Sequence, residues 1–101
     1  MTARTPKPTL IDALAEMLPA AIIEQVTRTD WHSATFSGER CCIKIILPGE
    51  NAAARANEFA AALPDYEFDL RRYTVADIIA TDIAQRGGDV TLTVEALLLD
   101  P

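Results

Sequence analysis

Apolar positions in this chain follow two periods. Leu10, Ile11, Leu14, Met17 and Leu18 recur at helical spacing, with Thr9 placed to cap the run and Asp12 near the positive end of its dipole. Pro19 ends it, because proline has no amide hydrogen and disfavours helix in the residue before it. Ala56, Phe59, Ala60 and Leu63 form a second helical stripe, opened by Glu50-Asn51 and followed by Pro64. The two Leu-Pro breaks stand 45 positions apart. The alanines of the second stripe imply a helix lying close against a sheet.

Elsewhere the period is two. In residues 21–29 Ile22, Ile23 and Val26 would also suit a helix, but the segment is rich in β-branched side chains and is read as a strand. Residues 31–37 and 40–47 alternate about Gly38-Glu39, where a leading glycine signals a two-residue type II′ hairpin. Residues 66–70 alternate as a short strand, and Arg71-Arg72-Tyr73 breaks the phase as a corner or bulge. Residues 75–85 and 90–100 form a last hairpin about Gly87-Gly88. The order is α-β-β-β-α-β-β-β: two αβββ halves, hence an α+β fold with both helices on one face of an antiparallel sheet. Residues 1–8 hold two prolines and no pattern, and read as a flexible tail before a single domain over 9–101.

Strand alternation assigns faces. About a turn at Gly38-Glu39, His32, Ala34, Phe36, Cys41, Ile43, Ile45 and Leu47 fall on the core face, leaving Trp31, Ser33, Thr35, Arg40, Cys42, Lys44 and Ile46 on the open face. In the last hairpin Asp77, Ile79, Ile83, Val90, Leu92, Val94, Ala96 and Leu98 point to the core. Ala76, Ile78, Ala80, Asp82, Thr91, Thr93, Glu95, Leu97 and Leu99 point away. The open face would then carry Trp31, Ile46, Ile78, Leu97 and Leu99, more apolar area than a monomer usually exposes if these residues cluster.

Charge and composition exclude several roles. The chain has 101 residues, half of them hydrophobic and 6% aromatic, so one core of aliphatic side chains is expected. Its net charge is −6. Residues 1–57 hold six acids and six bases, and 58–101 nine acids and three bases. Nucleic acid and anionic membranes select the opposite balance. The longest clean apolar stretch, residues 17–23, is too short to span a bilayer, and no secretory signal pattern follows the N-terminus. Adjacent Cys41 and Cys42 point to opposite faces of a strand and are read as free thiols. A cytoplasmic location is expected.

The candidate chemistry is sparse. His32 is the only histidine, and the 45-residue offset sets it against Asp77. Both are assigned to the core face near strand ends, so a buried His32–Asp77 pair tuning a general base is conceivable, with two ordinary, partly exposed residues the commoner case. No Cys-x-x-Cys or His-x-x-x-His spacing supplies a metal site, and no cofactor motif occurs. Cys42, between Arg40 and Lys44, is an ordinary surface thiol unless a base joins it. Gly87-Gly88 precedes a strand rather than a helix, so it is a turn and not a phosphate cradle.

The segment Trp31-His32-Ser33-Ala34-Thr35-Phe36-Ser37-Gly38-Glu39-Arg40 resembles one in a group of small bacterial proteins of about this length and of unknown function. Val75-Ala76-Asp77-Ile78 and Val94-Glu95-Ala96-Leu97 are similar to the same group. The resemblance implies a small bacterial cytosolic protein and names no site. In element order the chain is also similar to acidic secretion chaperones, which are dimers of mixed helices and strands, though it lacks their extra C-terminal helix.

Three functional readings stand side by side. The first is a non-enzymatic protein that forms a homodimer, or holds a protein partner, through its open sheet face. The second is a small enzyme or ligand-binding protein with a pocket near His32 and Asp77. The third is an acidic chaperone-like adaptor.

Overall fold

The computed structural model describes residues 7–101. It consists of α1 (Leu10–Met17), β1 (Ile22–His32), β2 (Ser37–Leu47), α2 (Ala52–Ala62), a single 3-10 turn (Leu63–Asp65), β3 (Thr74–Arg86) and β4 (Asp89–Leu99). The strands form one antiparallel sheet in the order β1-β2-β4-β3. The predicted α+β class is what forms, with two αββ halves where three strands each were predicted.

The helices form where their sequence signals stand. Thr9 caps α1 through a reciprocal box, in which its hydroxyl accepts from the Asp12 amide at 3.2 Å while the Asp12 carboxylate accepts from the Thr9 amide at 3.3 Å. Both helices stop at the leucine before a proline, Leu18 and Leu63. The Arg55 guanidinium of α2 donates to the Pro19 carbonyl and ties the second helix to the end of the first. Ala20, in the left-handed region at φ 71°, turns the chain from Pro19 into β1.

The inner strands carry the core. Cys41, Ile43, Ile45 and Leu47 of β2 and Val90, Leu92, Val94, Ala96 and Leu98 of β4 are buried in one cluster. Leu10 and Leu14 of α1, with Ala52, Ala56 and Phe59 of α2, join the same cluster, so both helices cover one face of the sheet. Each fully buried Leu, Ile or Val contributes roughly 1.5–3 kcal/mol of transfer free energy. The small side chains of Ala52 and Ala56 let α2 approach the strands closely, as its alanine content implied.

Three features depart from the sequence expectation. First, β1 is one continuous strand through His32, and the chain turns at residues 33–36. There the Ser33 hydroxyl accepts from the Phe36 amide at 2.9 Å and the Thr35 amide at 3.3 Å, and the Ser33 amide donates to the Phe36 carbonyl at 2.8 Å. Gly38 lies inside β2, opposite Trp31 and Leu99. A Cβ on Gly38 would sit 1.9 Å from the Leu98 carbonyl oxygen, so glycine serves a close approach of β2 to β4 rather than a turn.

Second, residues 66–73 pair with no strand. Leu70 nevertheless reaches the core and Phe68 packs against it, so their alternation records an extended segment laid over the core. Third, β3 is bulged where pairing skips Ala76, and again between Thr81 and Ala84. Asp82 in the second bulge has φ 53°. Of the predicted tail, residues 1–6 lie outside the described residues. The Lys7 ammonium pairs with Asp69 at 3.0 Å, and the Pro8 carbonyl accepts from the Arg71 amide at 3.0 Å.

Candidate functional site

The uncovered face of the sheet is assembled in rows by strand register. At one end Trp31, Gly38, Leu99 and Thr74 stand side by side, followed by Thr29, Arg40, Leu97 and Asp77. The next row is Thr27, Cys42, Glu95 and Ile79. Gln25, Lys44, Thr93 and Thr81 follow. Ile46 lies in the last row beside Ile22 and Thr91. Period-two alternation on two inner strands paired without a register break creates this order.

Of the five residues expected there, Trp31, Ile46, Leu97 and Leu99 occupy the open face and are half-buried. Ile78 does not. It is 3% exposed, paired with Ala96 on the helix-covered face, and Ile79 stands on the open face in its place. The unpaired Ala76 explains the inversion, because one inserted residue moves every following side chain to the other face. Ala76 is small and neutral, so the sequence carries no hydrophobic cue to the bulge.

Charges on this face form two stripes. Arg40 and Lys44 stand on β2, whereas Glu95 on β4 and Asp77 on β3 stand beside them, all exposed. Among the described residues none of these four makes an ion pair within the chain. Thr81 donates a long hydrogen bond, 3.4 Å, to Glu95. Arg40, Asp77, Glu95 and Leu97 border a shallow depression of about 300 Å³.

His32 and Asp77 are not brought together. His32 sits on β1 opposite Ser37 and Asp77 on β3 opposite Leu97, and both are exposed. β1 and β3 are the two outer strands, so three strand spacings, roughly 14 Å, separate them. The predicted core-face pair, and the shared pocket built on it, does not form. The bulge at Ala76 turns Asp77 to the open face, whereas His32 keeps its assigned side of the sheet but lies exposed at the end of β1, beside the turn at 33–36.

The two thiols do take opposite faces. Cys41 is buried and Cys42 is half-buried on the open side, with no bridge between them. Burial first, and a 3.4 Å hydrogen bond to Glu39 second, push the Cys41 thiol from 9.0 up to about 11, with the Glu39 charge adding to the rise. Cys41 is therefore an uncharged, unreactive thiol at neutral pH. Among the described residues no group of three or more His, Cys, Asp or Glu could hold a metal ion, and no helix is long and apolar enough to cross a membrane. Comparison with protein-family models, with curated proteins and with solved structures gives no match to this chain.

Proposed function

We propose that this protein is a cytoplasmic, non-enzymatic module that self-associates by stacking its open sheet face on a second copy of itself. The observation that carries the reading is the pairing of a basic stripe, Arg40 and Lys44 on β2, with an acidic stripe, Glu95 and Asp77 on the neighbouring β4 and β3. A twofold axis running along the strands between β2 and β4 lays β2 of one copy over β4 of the other, which sets Glu95 of the second copy over Cys42, between Arg40 and Lys44, in an isologous contact. Like charges are kept apart in that arrangement, which gives it specificity.

Area and apolar content support the same occupant. A four-stranded face of this length offers roughly 700 Å² per copy, close to the ~800 Å² per partner of a standard stable interface. Trp31, Leu97, Leu99 and Ile79 supply the apolar part, with an aromatic anchor of the type that dominates interface energetics. The two unbridged thiols fit a reducing compartment.

Native mass spectrometry of the purified protein tests the reading. A dimer is expected, with Leu97→Asp monomeric and its circular dichroism unchanged. A wild-type monomer overturns the proposal, as would dimers that persist in both Leu97→Asp and Ile46→Asp. A monomer that retains a bound protein would favour the chaperone-like adaptor instead.

A further inference from the structure

The helix-covered side holds a second feature, independent of the open face. The start of α1, the strands β1 and β2, and residues 70–73 surround a cavity of about 200 Å³. Its walls are apolar: Leu10, Val26, Cys41, Ile43, Leu70 and Leu98. Close-packed interiors leave few voids larger than one water. An apolar cavity of about 150 Å³ already stays dry and admits benzene. The space here therefore suits a short apolar group better than solvent.

Three arginines, Arg28, Arg71 and Arg72, also line the cavity, with Glu39 the one carboxylate residue of the lining. In a chain of net charge −6, three cationic residues at one apolar cavity mark a local preference for an anion. Their internal partners leave donors to spare. Arg28 lies 4.0 Å from Glu39, beyond hydrogen-bond range. Arg71 uses Nε on the Lys7 carbonyl at 3.3 Å, and Arg72 pairs with Asp100 at 3.2 Å while lying 5.0 Å over the Tyr73 ring. Each guanidinium carries five N–H groups in a planar fork that matches a carboxylate.

We propose that this cavity binds a small amphipathic carboxylate, its alkyl chain against Leu10, Ile43, Leu70 and Leu98 and its carboxylate on Arg28 and Arg71. The neutral Cys41 thiol forms part of the apolar wall. A monoanion suits the cavity, because Glu39 and Asp100 already offset part of the cationic charge. The cavity draws on segments distant in sequence, so only the folded chain presents it.

Titration calorimetry with octanoate, octanol and octylammonium tests the site. Octanoate is expected to bind saturably at one per chain, while octylammonium does not bind. Arg28→Gln, an exposed position, should weaken octanoate about tenfold, the loss of one charge-assisted hydrogen bond. Absence of saturable octanoate binding overturns the proposal. So does octanol binding as tightly as octanoate, or unchanged affinity in both Arg28→Gln and Arg71→Gln. Leu97→Asp should retain full octanoate affinity, which separates failure of this site from failure of the open-face dimer.

Discussion

Ile78 and Ile79 are neighbours in β3 with opposite surroundings: Ile78 is 3% exposed against Ala96 under the helices, and Ile79 is 41% exposed opposite Glu95 on the open face. Matched substitutions should separate them. Ile78→Thr leaves a cavity and a buried hydroxyl, and is expected to cost about 2–4 kcal/mol in urea unfolding. Made in the monomeric Leu97→Asp background, Ile79→Thr should change stability by less than about 0.5 kcal/mol. Equal losses would mean that the bulge at Ala76 is misplaced.

Gly38 supplies a second contrast. Gly38→Ala drives a methyl into the Leu98 carbonyl, a backbone atom that cannot move without parting β2 from β4. We expect a loss of about 2 kcal/mol or more. Gly88→Ala meets nothing within 4 Å and should change stability by less than about 0.5 kcal/mol. Thermal melts of the two variants decide whether Gly38 serves packing or a turn.

The Ser33 hydroxyl supports the turn at residues 33–36 beside the Ser33–Phe36 backbone hydrogen bond. Ser33→Ala removes the acceptor for the Phe36 and Thr35 amides and should cost about 1 kcal/mol. Amide exchange should quicken at Phe36 and across the β1–β2 end of the sheet, with β4 unaffected. Exchange quickening first at Gly38 and Glu39 would restore the hairpin expected from the sequence.

Stability should fall in alkali through Cys41. Its thiol ionises near 9.0 when unfolded and at about 11 in the folded chain, so above pH 9 the unfolded state releases its proton first. The folded state then binds more protons than the unfolded one, and stability declines as pH rises from 9 to about 11. Urea midpoints across this range should drop more steeply for the parent than for Cys41→Ala. Parallel slopes would show that the buried thiol is not the cause.

The uneven legibility of the sequence follows the uneven shielding of its strands. β2 and β4 lie inside the sheet, and residues 41–47 and 90–98 bury one face continuously, so the facing of those residues could be read from their hydrophobic alternation. β1 and β3 form the edges. β1 keeps no fully buried residue, and both edge strands break register, at Glu24 in β1 and at Ala76 and residues 82–83 in β3. Without a buried face, alternation carries no signal, and one unpaired residue reverses every later assignment. The errors at Asp77 and Ile78 share that origin, whereas His32 was separated from Asp77 by strand order.

Local interactions determined what could be read from the chain alone. The Thr9–Asp12 cap, the two Leu-Pro helix ends, the alternation of residues 41–47 and 90–98 and the opposed Cys41 and Cys42 all depend on neighbours a few residues away. Tertiary structure decided the rest. Strand order moved His32 and Asp77 to opposite edges, bulges exchanged Ile78 for Ile79, and docking of residues 70–73 beside α1 gathered Arg28, Arg71 and Arg72 around one apolar cavity. Those outcomes are set by contacts between distant segments, which periodicity along the chain does not encode.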